Sequence, residues 1–318
     1  MSGELTARAK DILAGAPAPA ATEREISAAV QRAVRHLVSH QRADGCWPEW
    51  PLEGSTLVGE AWPTAFIGLA VAAAEDALGL PATGAARRGA DWLQDNRSPF
   101  GGWNWGGSEM PPDVEGTALS LALLQACGRP VPPADILFIL RHWRGDGFAT
   151  FDSESALGMP RHELAGAVHD GLPPRVRAAL GPLIAQWLLR DVDEHGTWPL
   201  YWWVSRHFGA WGAWKLLLAQ GACAAAPVPY VDDGEHATPT VWDFACLTGR
   251  AALADPRRAR SLAGVLIGLQ HGDGGWDGGR NIAFPKTAQR LAHLPLGADI
   301  GVATTAASVH ALVDVMRR

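Results

Sequence analysis

Tyrosine is almost missing from this chain, with two in 318 residues, and methionine and cysteine number four each. The cysteines, Cys46, Cys127, Cys223 and Cys246, are far apart with no CxxC pair. That spacing offers no zinc ribbon or disulfide frame and fits reduced structural thiols in a cytoplasmic protein. Charge is sparse at 19% Asp, Glu, Lys and Arg, and the net charge is −6. The basic residues form no stripe, which argues against a nucleic-acid partner. No uninterrupted apolar run reaches about 18 residues, so no transmembrane segment is expected. Weak attachment to a membrane surface stays open, and no oligomeric state is specified. Met1 to Ala21 lacks a charged start followed by an apolar core, so no signal peptide is expected. A Gly-rich phosphate loop and a serine triad are also missing.

What is abundant is apolar and indole-rich. Apolar residues make up 47%, and there are fifteen tryptophans. So many large side chains with one donor each need many buried or cavity-lining places. The chain is also self-similar. Amphipathic runs at Ile26–His40, Ala85–Trp92 and Arg257–Gly268 each lead into a Gly-rich turn and a tryptophan: Gln41–Trp47, Leu93–Trp103 and Leu269–Trp276. Weaker copies are Trp143–Phe148 and Asp193–Trp198. After each turn comes a run rich in Ala, Leu and Thr, beginning near Trp62, Gly116, Glu163, Gly209, Thr240 and Ala303.

Apolar residues at i, i+3 and i+4 predict one helix face, and runs apolar all round predict buried helices. Alternation of the two predicts concentric layers, all-α, as an (α/α)6 toroid of repeated helix pairs. The outer helix of the fifth pair is degenerate, near Ala222–Tyr230. Both ends carry full signatures and no polar capping repeat is evident, so a closed ring is expected rather than an open solenoid. Residues 1–21 read as a short N-terminal helix and linker, and residues 22–318 as a single toroid domain.

The Q-x₃-G-x-W turns, the opening segment Leu37–Trp47 with Pro51-Leu52 and Glu60-Ala61, and above all Gly101-Gly-Trp103 followed by Pro112-Asp-Val-Glu-Gly-Thr-Ala118 resemble the squalene–hopene cyclase family of class II terpene cyclases. The resemblance implies a toroid that protonates and cyclises a linear prenyl chain without metal or cofactor. Members usually have two toroids; here there is one. The family's DxDD acid motif is altered: Asp113 matches its first Asp, Glu115 stands at the proton-donating position, and Gly116 replaces its last Asp. The family also places a His partner beyond an acidic residue on the next inner helix. Glu163 matches that acid, Ala167 falls where the His belongs, and His162 and His169 are out of register.

Protonating an alkene needs a protonated acid in a dry cavity. Two carboxyls at a helix start can share a proton, though the helix dipole favours the carboxylate and burial must outweigh it. Asp113 and Glu115 are the expected catalytic pair, with Glu115 the donor. Asp113 also suits an N-cap and Glu115 a first helical turn, so both also read as helix stabilisers. Trp62, Trp105, Trp202, Trp203, Trp242 and Phe244 are expected to face the substrate, together with Glu60 and His162. Arg206 and His207 could hold an anionic tail. Trp47, Trp103, Trp198 and Trp276 are expected to staple repeats together. Asp243, Cys246 and His310 lack the helix-start spacing of a prenyltransferase zinc site, so no metal is expected. No DDxxD cluster supports ionisation-initiated chemistry.

The expected partner is a small-molecule isoprenoid, such as a prenylated aromatic, as the substrate of a cyclase. Two other readings compete. In one, a different isoprenoid reaction uses acids such as Glu60, Asp232, Asp233 or Asp299. In the other, the toroid only binds isoprenoids or a partner. A closed apolar cavity of ~300 Å³ or more beside Glu115 favours catalysis, and a filled centre favours the non-catalytic role.

Overall fold

Thr22 and Glu25 start the first helix with a capping box. The Thr22 hydroxyl accepts from Glu25 N at 3.2 Å, and Glu25 Oε2 accepts from Thr22 N at 2.8 Å. From there α1 (Glu23–Ser39) buries Ile26, Val30, Ala33 and Leu37 on one face. The next helix, α2 (Ala61–Leu78), is buried almost all round its first three turns. The computed structural model describes residues 11–12, 16, 19–51, 58–155, 158–224, 240–279, 281–282 and 299–318.

The alternation continues through α3 (Ala85–Asp95), α4 (Val114–Ala126), α5 (Pro133–Arg141), α6 (Leu164–Gly171), α7 (Pro174–Asp191), α8 (Arg206–Ala219), α9 (Val241–Ala254), α10 (Pro256–Gly268) and α11 (Val302–Met316). Six of these pack side by side as α2, α4, α6, α8, α9 and α11, and α11 returns to α2. The ring is closed. Outside it, α1 covers the α11–α2 junction, α3 the α2–α4 junction, α7 the α6–α8 junction and α10 the α9–α11 junction, while α5 lies on α4. The expected degenerate outer helix at Ala222–Tyr230 would complete the outer layer. Ala222–Ala224 are not helical, and the rest of that segment, with Asp232 and Asp233, lies outside the described residues. Most of residues 1–21 also lies outside them; Ala21 N donates to Arg260 O of α10 at 2.9 Å. Among the described residues no helix is long and apolar enough to cross a membrane.

The turns repeat their bonding. Trp47, Trp103, Trp198 and Trp276 each donate the indole N–H to a leucine carbonyl ten residues earlier, on Leu37, Leu93, Leu188 and Leu266, at 2.7 to 2.9 Å. The backbone N–H groups of Trp47, Trp103 and Trp276 donate to the hydroxyls of Thr64, Thr117 and Thr305 in the following inner helix. The turns at Trp47, Trp103 and Trp276 are thereby pinned to the outer helix before and the inner helix after, and the turn at Trp198 to the outer helix before it.

The same device closes the ring. Gln41 donates to Gly45 O and to Ala85 O of α3, both at 2.9 Å. Gln270 donates to Gly274 O and to Ala29 O of α1 at the same lengths, bridging the last turn to the first helix. Arg88 and Arg32 complete the two copies by donating to the glutamine oxygens. Gly45 (φ 101°) and Gly274 (φ 96°) let the backbones meet, because a Cβ at either would lie 2.4 Å from the carbonyl oxygen of Arg88 or Arg32.

Candidate active site

Three inner-helix starts are tied to loops of other repeats: Glu60 N donates to Trp105 O before α2, Val114 N to Thr150 O at α4, and Val204 N to Asn281 O before α8. Asp113 is the N-cap of α4, and its Oδ1 accepts from Gly116 N at 2.6 Å. The glycine in the altered acid motif has a steric cause. A Cβ on Gly116 would come within 2.8 Å of the Asn104 backbone, so no carboxylate fits there.

Glu115 follows one step into α4 and is 6% exposed. Its Oε2 accepts from the Trp203 indole N–H at 3.4 Å. Burial raises its carboxyl well above the usual range, and the charges of Asp113 and Glu163 raise it further, while the indoles of Trp203 and Trp62 pull it back. Trp62 does this without a bond of good geometry. Asp113 is pushed up by burial to about 7 against the backbone N–H groups it accepts from. Burial therefore outweighs the helix dipole and favours the protonated form of Glu115. Glu163, at the start of α6, is also raised by burial. Its Oε1 accepts from Tyr201 N and Trp202 N, at 3.0 and 3.2 Å, and its Oε2 has no hydrogen-bond partner among the described residues.

Aromatic rings pack on top of this acid. Trp203 stacks on Trp242 with centroids 5.5 Å apart and planes 6° apart, and lies 4.9 Å from Trp62 and 4.5 Å from Phe208. Trp62 stacks on Phe66 at 4.8 Å. Trp50 closes the group edge-on, 5.3 Å from Trp62 and 6.2 Å from Trp203. Beneath them is a cavity of about 120 Å³ bordered by Glu115, Glu163, Phe66, Phe208 and Trp211, among others. It is smaller than the ~300 Å³ expected for a ligand-sized space. A larger recess of about 280 Å³ lies elsewhere, against Glu75, Arg87 and Cys127.

Of the residues expected from sequence, the ring thus assembles Asp113, Glu115, Trp62, Trp203 and Trp242. The others sit apart. Trp202 turns outward, donates to the Thr150 hydroxyl at 3.0 Å and packs on Tyr201 and Phe151. Trp105 is half-buried against Gly59. Phe244 is buried on α9 without ring contact to the group around Trp203. His162 stacks on Trp187 and bonds Asp191 at 3.1 Å, which fixes α7 rather than facing the cavity. Arg206 is 3.6 Å from Asp193 in a solvent-facing pair, and Glu60 pairs with Arg42 at 3.2 Å. His207 is buried beside Arg250 Nη1, 3.1 Å from its Nδ1. Among the described residues no three His, Cys, Asp or Glu side chains are placed to hold a metal.

Sequence reasoning left out Phe66 and Phe208, which share the cavity border with Glu115. Phe66 was legible as Trp62 plus one turn on the same helix face. Trp50 gave no signal, since it lies in a loop without period and takes φ 51°, a left-handed conformation rare for a bulky residue. A second buried acid pair was half seen. Glu49 accepts from Ile300 N at 2.7 Å and Ala303 N at 2.8 Å, while Asp299 accepts from Gly301 N and from the side chains of Asn281 and Thr304. Burial raises both acids, and the charge of Asp299 adds to it at Glu49, which is pushed up to about 8.

No family model matches this chain, and no curated protein does. Solved structures do. The type II terpene cyclase MstE from Scytonema, in complex with geranylgeranyl dihydroxybenzoate as substrate, superposes with a TM-score of 0.75 at 19% identity, over 92% of this chain and 98% of that one. A protein from Actinoplanes gives 0.71 at 23% identity, over 91% and 99%. The ent-copalyl diphosphate synthase from Streptomyces platensis gives 0.59 at 19% identity, over 80% of this chain and 50% of that one. This chain therefore has the fold of the type II terpene cyclase toroid.

Proposed function

We propose that this chain is a metal-independent class II terpene cyclase that protonates a linear prenyl chain and folds it into rings. The observation that carries the reading is Glu115: a buried carboxyl whose protonated form burial favours, with the Trp203 indole N–H at its Oε2. Such an acid can give its proton to a terminal alkene and leave a carbocation. The faces of Trp62, Trp203 and Trp242 suit the cation, each such contact contributing roughly 0.5–2 kcal/mol. Burial, and after it the charge of Asp113, favours the neutral form of Glu115 at rest. The substrate class follows from the likeness to MstE, whose complex holds a prenylated dihydroxybenzoate. A meroterpenoid precursor of that type is the proposed substrate. It requires Trp203, Phe208 and Trp242 to part, since the cavity of about 120 Å³ is too small for a prenyl chain.

That filled centre favours a second reading, an isoprenoid-binding protein without chemistry. One experiment separates the two. The protein is incubated with geranylgeranyl dihydroxybenzoate and other prenyl compounds, and products are read by mass spectrometry and NMR. Ring-containing isomers of unchanged mass, absent with Glu115→Gln, support the cyclase. Recovery of intact substrate alone leaves the binding role.

A further inference from the structure

The inner face of α6 carries an acid at each end and almost nothing between. Glu163, Gly166, Ala167 and Asp170 all border the Glu115 cavity, at the spacing of successive helical turns. Between them Gly166 packs on the backbone of Gly212 in α8 and Ala167 carries only a methyl, so the cavity runs past both from the helix start to its end. Glu163 is 4% exposed, and its Oε2 has no hydrogen-bond partner among the described residues. Asp170, two turns on, is at the opposite end of the ring, and its side chain is 59% exposed. Its charged and titratable surroundings are His169, bonded at 3.1 Å, Lys215 of α8, His310 of α11 and Arg177 of α7. The cavity between, about 120 Å³, is large enough to admit water.

An acid that starts a reaction by giving away its proton must recover one, and the end of the ring near Glu115 is closed by packed indoles. We propose that the inner face of α6 is the proton-return path of this ring, in which Asp170 admits protons from solvent and Glu163 passes them to Glu115. This rests on the cyclase reading above. The balance is simple. Glu115 transfers its proton to an alkene carbon and becomes a carboxylate. The cation closes its rings and loses a proton, directly or after adding water. After product leaves, water bridges the cavity. A proton moves from Glu163 Oε2 to Glu115, and Glu163 is recharged through water from Asp170. Proton affinity increases inward along this route. At Asp170 burial is outweighed by the His169 bond and by Lys215 and Arg177, so the carboxyl is held low, whereas burial raises Glu163 and raises Glu115 most.

The test compares the first turnover with later ones. With Asp170→Asn in excess over geranylgeranyl dihydroxybenzoate, the first cyclisation should run within about twofold of the parent protein. With substrate in excess, it should show a burst of one product per site and then turn over about tenfold more slowly. Added small carboxylic acids should restore Asp170→Asn in proportion to concentration. The change preserves the shape of the side chain. Steady turnover of Asp170→Asn equal to the parent's overturns the path. So does an equal loss in the first and later turnovers, which marks a structural role. No product from the parent even in a single turnover instead overturns the cyclase reading, and the path with it.

Discussion

The indole N–H of Trp203 points at Glu115 Oε2 across 3.4 Å, joining the loop before α8 to the start of α4, with α6 between the two helices in the ring. A hydrogen bond to a charged acceptor is worth roughly 1.5–3 kcal/mol. This one is weak while Glu115 is neutral and strengthens when its proton leaves. Trp203→Phe keeps an aromatic face and removes the donor. We expect cyclisation to slow by about tenfold or more, and the high-pH limb of the rate profile to move upward, because the carboxylate loses a stabilising bond. Initial rates between pH 5 and 9 check this. A tenfold loss without movement of that limb would assign Trp203 to packing alone.

Gln41 and Gln270 make equivalent bonds, but Gln41 joins neighbouring repeats and Gln270 joins the last turn to the first helix. If the ring behaves as one cooperative unit, Gln270→Ala should cost as much as Gln41→Ala, about 1–3 kcal/mol for the buried partners left unmatched. Chemical denaturation of both variants gives the comparison. A much smaller loss for Gln270→Ala would mean that closure adds little to stability.

Glycine at the turns separates two costs. Gly45 has a left-handed φ and a Cβ position 2.4 Å from the Arg88 oxygen, whereas Gly128 has φ 66° and nothing within 4 Å. Gly128→Ala should therefore lose only the conformational term, about 1 kcal/mol, and Gly45→Ala several times more because the backbone of α3 must move. Thermal unfolding of the two variants decides the point.

The ring was legible because its signals are local. A Gly-rich turn ending in Trp and flanked by two helix periods encodes the Trp47–Leu37 staple and its three copies, and each copy names the next. The acid was legible from Asp113-Val-Glu115, whose helix-start spacing survives translation into space. Which tryptophans face the axis was not. Trp202 and Trp203 are adjacent in sequence, but backbone direction in a loop sends one to Thr150 and the other to Glu115. Nor could sequence show that Asn104 crowds Gly116, a contact made between a loop and a helix start. The role of Glu163 was hidden for a related reason: a His was sought at Ala167, while the acid itself already faced Glu115.

The buried acids set how stability changes with pH. Asp113 moves from 3.8 unfolded to about 7 folded, and Glu49 from 4.5 to about 8; Glu115, Glu163 and Asp299 are raised as well. Over that window the folded chain holds protons that the unfolded chain has released. The stability these groups contribute is complete below about pH 4 and is lost as pH rises through 7 to 8. Buried His207 and His310 oppose them, being lowered by burial from 6.5 to about 3 and about 4, so their contribution is present above 6.5 and lost as pH falls below it. The two trends cancel in part between pH 4 and 6.5, and only the acids act above. Five acids outweigh two histidines, so the unfolding midpoint should fall from pH 5 upward, and more steeply above pH 6.5 than below it. Glu49→Gln, which ends the repulsion with Asp299, should flatten that fall while lowering the midpoint at pH 5 through the loss of one acceptor for Ile300 N or Ala303 N. Thermal scans of both proteins at half-unit intervals from pH 5 to 9 measure the slope, and an unchanged slope in Glu49→Gln would place the titration elsewhere among the acids of the ring.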